Sequence, residues 1–205
     1  MWANREWVGR WFPADTPSGA ELTAYASWCT TVEGNTTFYA VPPAETVARW
    51  ADQAPENFRF CFKLPQEITH NRRLRHTEDE VVGFLSRIEL LAEHLGPVQI
   101  QLPASFEPAD LPVLDGFLCS LPAQFDWAVE VRHPEFFPGG QAERALNDLL
   151  AARGVDRVIL DSRALFSGHP TTRAELEAWE NKPRVPVRPV ATGHRPVVRL
   201  IGLSD

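Results

Sequence analysis

Residues 58–63 read FRFCFK, and residues 127–133 read WAVEVRH. In the first stretch Phe58, Phe60 and Phe62 alternate with Arg59, Cys61 and Lys63. In the second Trp127, Val129 and Val131 alternate with Ala128, Glu130 and Arg132. Successive side chains of a strand point to opposite faces, so each stretch predicts a strand with one apolar row and one row ending in charge. The same pattern recurs in VQIQLP (98–103), where Gln99 and Gln101 oppose Val98, Ile100 and Leu102. TVEGNTTFY (31–39) adds Glu33 and Asn35, VILDS (158–162) adds Asp161, and VVRLIG (197–202) adds Arg199.

Helical sequence separates these strands. Ser18 with Glu21, Thr77 with Glu80 and Thr172 with Glu175 have capping-box spacing and predict three helix starts. Pro42 and Pro43 introduce a helix through Trp50. Val81, Phe84, Leu85, Ile88, Leu91 and Leu95 recur at helical spacing up to Gly96, and Leu111, Leu114, Phe117, Leu118 and Leu121 repeat the pattern. A further helix covers 142–152, before Gly154. Strands alternating with helices predict a parallel α/β fold, and no composition break divides 1–205 into separate domains. A parallel sheet covered by helices is apolar on both faces. Polar residues of one parity on every strand therefore favour a (β/α)8 TIM barrel, whose mouth collects such side chains, over an open doubly wound sheet.

The 205 residues carry 20 Lys and Arg against 27 Asp and Glu, a formal charge of -7. That sign argues against general nucleic-acid binding and against anionic membranes. The three cysteines, Cys29, Cys61 and Cys119, form no CxxC and no even framework, as expected of free thiols in a cytoplasmic protein. No apolar run is long enough to span a membrane.

In order along the chain, VEGNTTFY, FRFCFK with a downstream ITH, QLP, AVEVRHPEFF, VILDS and VVRLIG resemble the YecE-like family, domain of unknown function 72. The resemblance covers nearly the whole chain. It implies a TIM barrel with no agreed reaction. By that comparison the chain holds the second to seventh barrel strands and lacks the first and eighth, which marks it as a barrel truncated at both ends.

The polar row supplies the candidate site. Glu33, Glu130 and Asp161 come from three strands and suit general acid–base work, with Lys63 as a fourth catalytic candidate at a strand end. Their structural alternative is neutralisation of Lys63, Arg132 and Arg199. Asn35 and Gln101 are placed as amides that orient a ligand. Arg132, Arg199, His133 and His70 of the ITH motif complete a substrate-binding set, with Arg72, Arg73, Arg75 and His76 on the following loop. Arg grips phosphate and carboxylate bidentately, so the expected ligand is a small polar or anionic molecule, sugar-like or phosphorylated. Glu130, His133 and Asp161 are possible metal ligands, but no HxH or HExxH pattern accompanies them, so no metal is expected. Without a P-loop or dinucleotide fingerprint, no cofactor is expected either. The competing functions are a metal-dependent nucleic-acid phosphodiesterase and a non-catalytic metabolite-binding barrel. Glu33, Asn35, Lys63, Gln101, Glu130, Arg132, Asp161 and Arg199 are expected to converge on one cavity.

Overall fold

The computed structural model describes residues 2–202. Seven α-helices and seven short strands are interspersed along them, with α2 and α3, and β5 and β6, consecutive. The strands are β1 (Thr31–Gly34), β2 (Arg59–Phe62), β3 (Val98–Gln101), β4 (Trp127–Glu130), β5 (Asp156–Arg157), β6 (Ile159–Asp161) and β7 (Val198–Leu200). The helices are α1 (Glu21–Ala26), α2 (Thr36–Tyr39), α3 (Ala44–Gln53), α4 (Glu78–Ile88), α5 (Leu111–Ser120), α6 (Gln141–Ala152) and α7 (Arg173–Asn181). Each of the six predicted strand segments contains a strand. The chain forms two compact units, Met1–Ile68 with His76–Val98, and Thr69–Arg75 with Gln99–Asp205.

In the first unit β1 and β2 are parallel, with Val32 opposite Phe60, Glu33 opposite Cys61 and Gly34 opposite Phe62. Partners in a parallel pair share a face, so Phe60, Phe62 and Val32 form one apolar surface. All three of Phe58, Phe60 and Phe62 are fully buried. Trp50 of α3 stacks on Phe60 and Phe62 at 6.3 and 5.7 Å between ring centroids. Gly34 is required by this packing, because a Cβ there would overlap the Phe62 ring.

In the second unit β3, β4 and β5 lie side by side, and β6 pairs with β7. β4 and β5 are parallel, with Val129 opposite Arg157, and so are β6 and β7, with Leu160 opposite Arg199. Only Val158 separates β5 from β6, and its N–H still donates to Val129 O at 2.9 Å. One continuous stretch thus pairs on one side with β4 and, further along, with β7. Leu114, Phe117 and Leu118 of α5 and Leu146 and Leu150 of α6 are buried.

Local signals succeeded unevenly. The box at Thr172 forms: its side chain accepts from Glu175 N at 3.2 Å, and Glu175 Oε2 accepts from Thr172 N at 3.0 Å. At Ser18 the expectation fails. Ala20 is the N-cap of α1, and Glu21 instead accepts from Gly19 N and pairs with Arg5, both through side-chain oxygens. Thr77 does cap α4 by position but makes no side-chain cap bond. The strand predicted across 31–39 stops at Gly34, and Thr36–Tyr39 turns into α2. The buried Thr37 hydroxyl explains this: it donates to Gly34 O (3.2 Å) and Lys63 O (2.8 Å), tying the turn to the ends of both strands. The amphipathic stretch to Leu95 is a helix only to Ile88. A 3-10 segment, Glu89–His94, follows, broken by Ala92 at φ 50°.

Candidate functional site

The charged candidates gather in two groups, one in each unit. In the first, Lys63 follows β2 directly and is almost fully buried. Its ammonium donates to Glu33 Oε1 at 2.7 Å and to Asn35 Oδ1 at 2.5 Å. Register explains the meeting, since Glu33 shares a face with Cys61 and the polar row runs on to Lys63. With donors committed to a carboxylate and an amide, Lys63 has the geometry of a charge clamp, not of a free amine nucleophile. Asn35 reaches it from the N-cap position of α2 and not from the strand. Burial raises the Cys61 thiol above its ordinary value; the Thr31 contact opposes this and the Glu33 charge adds to it, so the thiol form is favoured.

The second group centres on Glu130, the last residue of β4, which is wholly buried. Glu130 Oε1 accepts from Arg132 Nε at 2.9 Å, and Oε2 accepts from Arg199 Nη1. Two guanidiniums thus close on one carboxylate, with 12% and 13% of their side chains exposed. Among the described residues Arg132 uses only its Nε–H, and its two terminal amino groups make no hydrogen bond. Leu102 N donates to Glu130 O at 2.9 Å, which sets Gln101 beside Glu130 along the sheet. Gln101 is 94% buried.

His70 completes the second group. Its Nδ1 lies 2.8 Å from Thr69 Oγ1. Burial lowers the imidazole below its ordinary value, the Arg132 charge lowers it further, and Glu130 opposes both. With its proton affinity lowered, the imidazole is unprotonated at neutral pH, the form general-base work requires.

Two candidates stand apart. Asp161 does not join Glu130. Arg199 is opposite Leu160, so Asp161 falls on the other face of β6, where its carboxylate receives Arg163 N, Nε and Nη2 at 2.7–3.0 Å. That pairing, led by the Arg163 side-chain bonds, holds Asp161 at about 2. The sequence pattern failed here because parity was counted within a strand without its register. His133 accepts from Glu135 N at 3.4 Å and caps the 3-10 turn Pro134–Phe136, a backbone role.

Sequence reasoning missed a further set of buried charges on the opposite face of β4 and β5. Arg157, opposite Val129, donates to Glu143 Oε1, Asn147 Oδ1 and Phe136 O at 3.0, 2.7 and 2.6 Å. Glu143 also accepts from Arg188 Nε at 2.8 Å and from Gly139 N at 2.6 Å. Asp156, opposite Ala128 and therefore on the Glu130 face, is buried as well; it accepts from Arg195 N at 2.9 Å, and a Cβ at Gly193 would come within 2.7 Å of its carboxyl carbon. The signal available was the run DR in an otherwise apolar stretch, 155–160. Among the described residues no three His, Cys, Asp or Glu side chains gather as a metal site would need, and no helix is long and apolar enough to cross a membrane.

Parallel strand pairs, intervening helices and charged groups at strand ends define a mixed α/β protein. Residues 1–205 match the family described as "Protein of unknown function DUF72". The chain belongs to that family. It is 46% identical over 205 residues to the UPF0759 protein YecE of Escherichia coli (strain K12), of which it spans 73%. A 62-residue part is 37% identical to the UPF0759 protein YunF of Bacillus subtilis (strain 168). Among solved structures it resembles a DUF72 family protein from Thermotoga maritima MSB8, with a TM-score of 0.66 and 22% identity over 94% of this chain and 68% of that one. It also resembles one from Enterococcus faecalis V583, with a TM-score of 0.61 and 24% identity over 84% of this chain and 65% of that one. The chain therefore spans just under two thirds of the Enterococcus protein's length.

Proposed function

We propose that the protein is an enzyme of the (β/α)8 barrel type, one TIM-barrel domain, that performs acid–base chemistry on a small anionic ligand. The observation that carries this is Arg132. Its Nε is fixed by a buried carboxylate, while its terminal amino groups make no contact among the described residues. A guanidinium held this way is a pre-organised fork for a phosphate or carboxylate. His70, kept neutral by burial and by Arg132, is the proton acceptor, and Gln101 orients the ligand. Glu130 serves as the brace for the two arginines and not as the base, because both its oxygens are engaged by guanidinium groups. The barrel reading is supported by the order of β3, β4 and β5 and by the shared β5–β6 stretch. Glu33, Asn35 and Lys63 supply a second polar cluster at strand ends, again where barrels place functional groups.

Thermal unfolding tests this at fixed ionic strength with inorganic phosphate, small carboxylates and neutral sugars. Phosphate or a carboxylate raises the midpoint of the native protein, and Arg132→Ala abolishes that rise. Stabilisation by neutral sugars alone would refute the anion reading.

A further inference from the structure

We propose that Arg73 is a positioning residue: it clamps the loop that carries His70 onto the segment following β3, and so fixes the imidazole beside Arg132 and Glu130. The loop is held in an unfavourable backbone. Arg73 and Leu74 have φ of 50° and 64°, in the left-handed region that residues other than glycine avoid. Such a conformation persists only where side-chain contacts outweigh it. Arg73 supplies them. Its Nη1 donates to Ser105 Oγ at 2.9 Å, and its Nη2 donates to Ser105 O at 3.2 Å and Asp110 Oδ2 at 2.6 Å. Its guanidinium also lies 5.8 Å from the ring centre of the buried Phe106. Leu74, next in the chain, is buried and adds an apolar anchor.

Four contacts on one segment are more than a surface arginine needs, and they fall three residues from His70. Neighbouring Arg75 is exposed. Release of the clamp lets the loop relax toward ordinary dihedrals and moves His70 away from the burial and the Arg132 charge that keep it neutral. The role of Arg73 in chemistry rests on His70 being the proton acceptor; its role in placing His70 does not.

The test is an NMR titration of the histidine imidazoles between about pH 5 and 8. In Arg73→Ala the His70 midpoint rises toward about 6.5, its value in an open chain. Asp110→Asn has the same effect in smaller measure. It removes the charge that holds Arg73 but keeps an oxygen for Glu107 N, which Asp110 Oδ2 accepts at 3.1 Å. Arg73→Lys restores part of the native midpoint, because one ammonium cannot reproduce the fork onto Ser105 and Asp110. If Arg73→Ala does not fold, Asp110→Asn carries the test alone. An unmoved His70 in the folded variants, or all histidines moving together, overturns the proposal. Phosphate stabilisation of the unmutated protein is measured alongside: its absence with the His70 shift intact refutes the anion reading and leaves the clamp standing.

Discussion

β4 and β5 carry two charge groups of the same composition on opposite faces. Each has one buried glutamate shared by two arginines: Glu130 with Arg132 and Arg199, and Glu143 with Arg157 and Arg188. Their wiring differs. Arg157 is 99% buried, donates to a carboxylate, an amide and a backbone carbonyl, and lies 5.3 Å from the centre of the Phe137 ring. Burial raises Glu143, but the Arg188 bond, the Gly139 N–H and the charges of Arg157 and Arg188 outweigh it, and its value is lowered. The group is closed at Arg157, whose partners are all protein atoms, while Arg188 at its edge is 37% exposed and, among the described residues, uses only its Nε–H. Arg132, with one N–H used and 12% exposed, differs from Arg157 in the same way but lies deeper than Arg188. Shared composition therefore says little about role; the number of donors left over says more.

The largest expected effect breaks the closed group. Glu143→Ala leaves Arg157 charged and buried, and costs about 3–5 kcal/mol in a urea titration. Glu130→Gln costs less, about 1–3 kcal/mol, because its arginines reach water and the amide still accepts one bond. Equal losses would show that both groups are structural. Arg132→Ala leaves the buried Glu130 with one guanidinium fewer, which lowers the stability of the unliganded protein by about 1–3 kcal/mol, and it further loses the stabilisation of about 2.7 kcal/mol that ligand at a hundred times Kd confers on the native form.

The pH dependence separates the groups next. His70 holds its proton more weakly in the native state than in the unfolded chain. Its contribution is therefore full above about pH 6.5 and is lost as pH falls through the lower native value. His70→Gln flattens the stability profile between pH 7 and that value, whereas Glu143, lowered in the native state, contributes fully at neutral pH and loses its contribution only at more acid pH, as pH falls through its native value. The smallest effect belongs to Asp161→Asn: its partner Arg163 is 73% exposed and solvent screens the pair, so the urea midpoint falls only slightly at neutral pH. A clear drop would return Asp161 to the candidate site.

The strands were legible because period-two alternation is a local property. FRFCFK and WAVEVRH each encode their faces without reference to anything distant. The pairing of Glu33 with Lys63, and of Glu130 with Arg132, follows from the same alternation at strand ends. Asp161 was misplaced because the face it joins depends on the register of β6 against β7, which no short stretch of sequence carries. Asn35 was assigned to a strand because Thr37, whose hydroxyl bends the chain, resembles any β-branched residue until Gly34 O and Lys63 O are in place. Arg157 and Glu143 escaped notice for a related reason: they lie 14 residues apart, and their bond forms only when α6 packs back on its sheet.

The tight approach of Gly34 to the Phe62 ring has an evolutionary consequence. The two positions cannot drift independently, since any side chain at 34 needs the volume that Phe62 fills. Substitution there is epistatic. Gly34→Ala is harmful beside Phe62 but tolerable beside a smaller apolar residue, so Phe62→Leu, itself a loss, becomes a gain in the alanine background. A double-mutant cycle in urea reads this as a coupling of opposite sign to the two single losses; purely additive losses would show that the backbone yields instead. Lineages can cross that gap only through a paired change or by way of a weakened intermediate, which makes the first strand pair slow to vary.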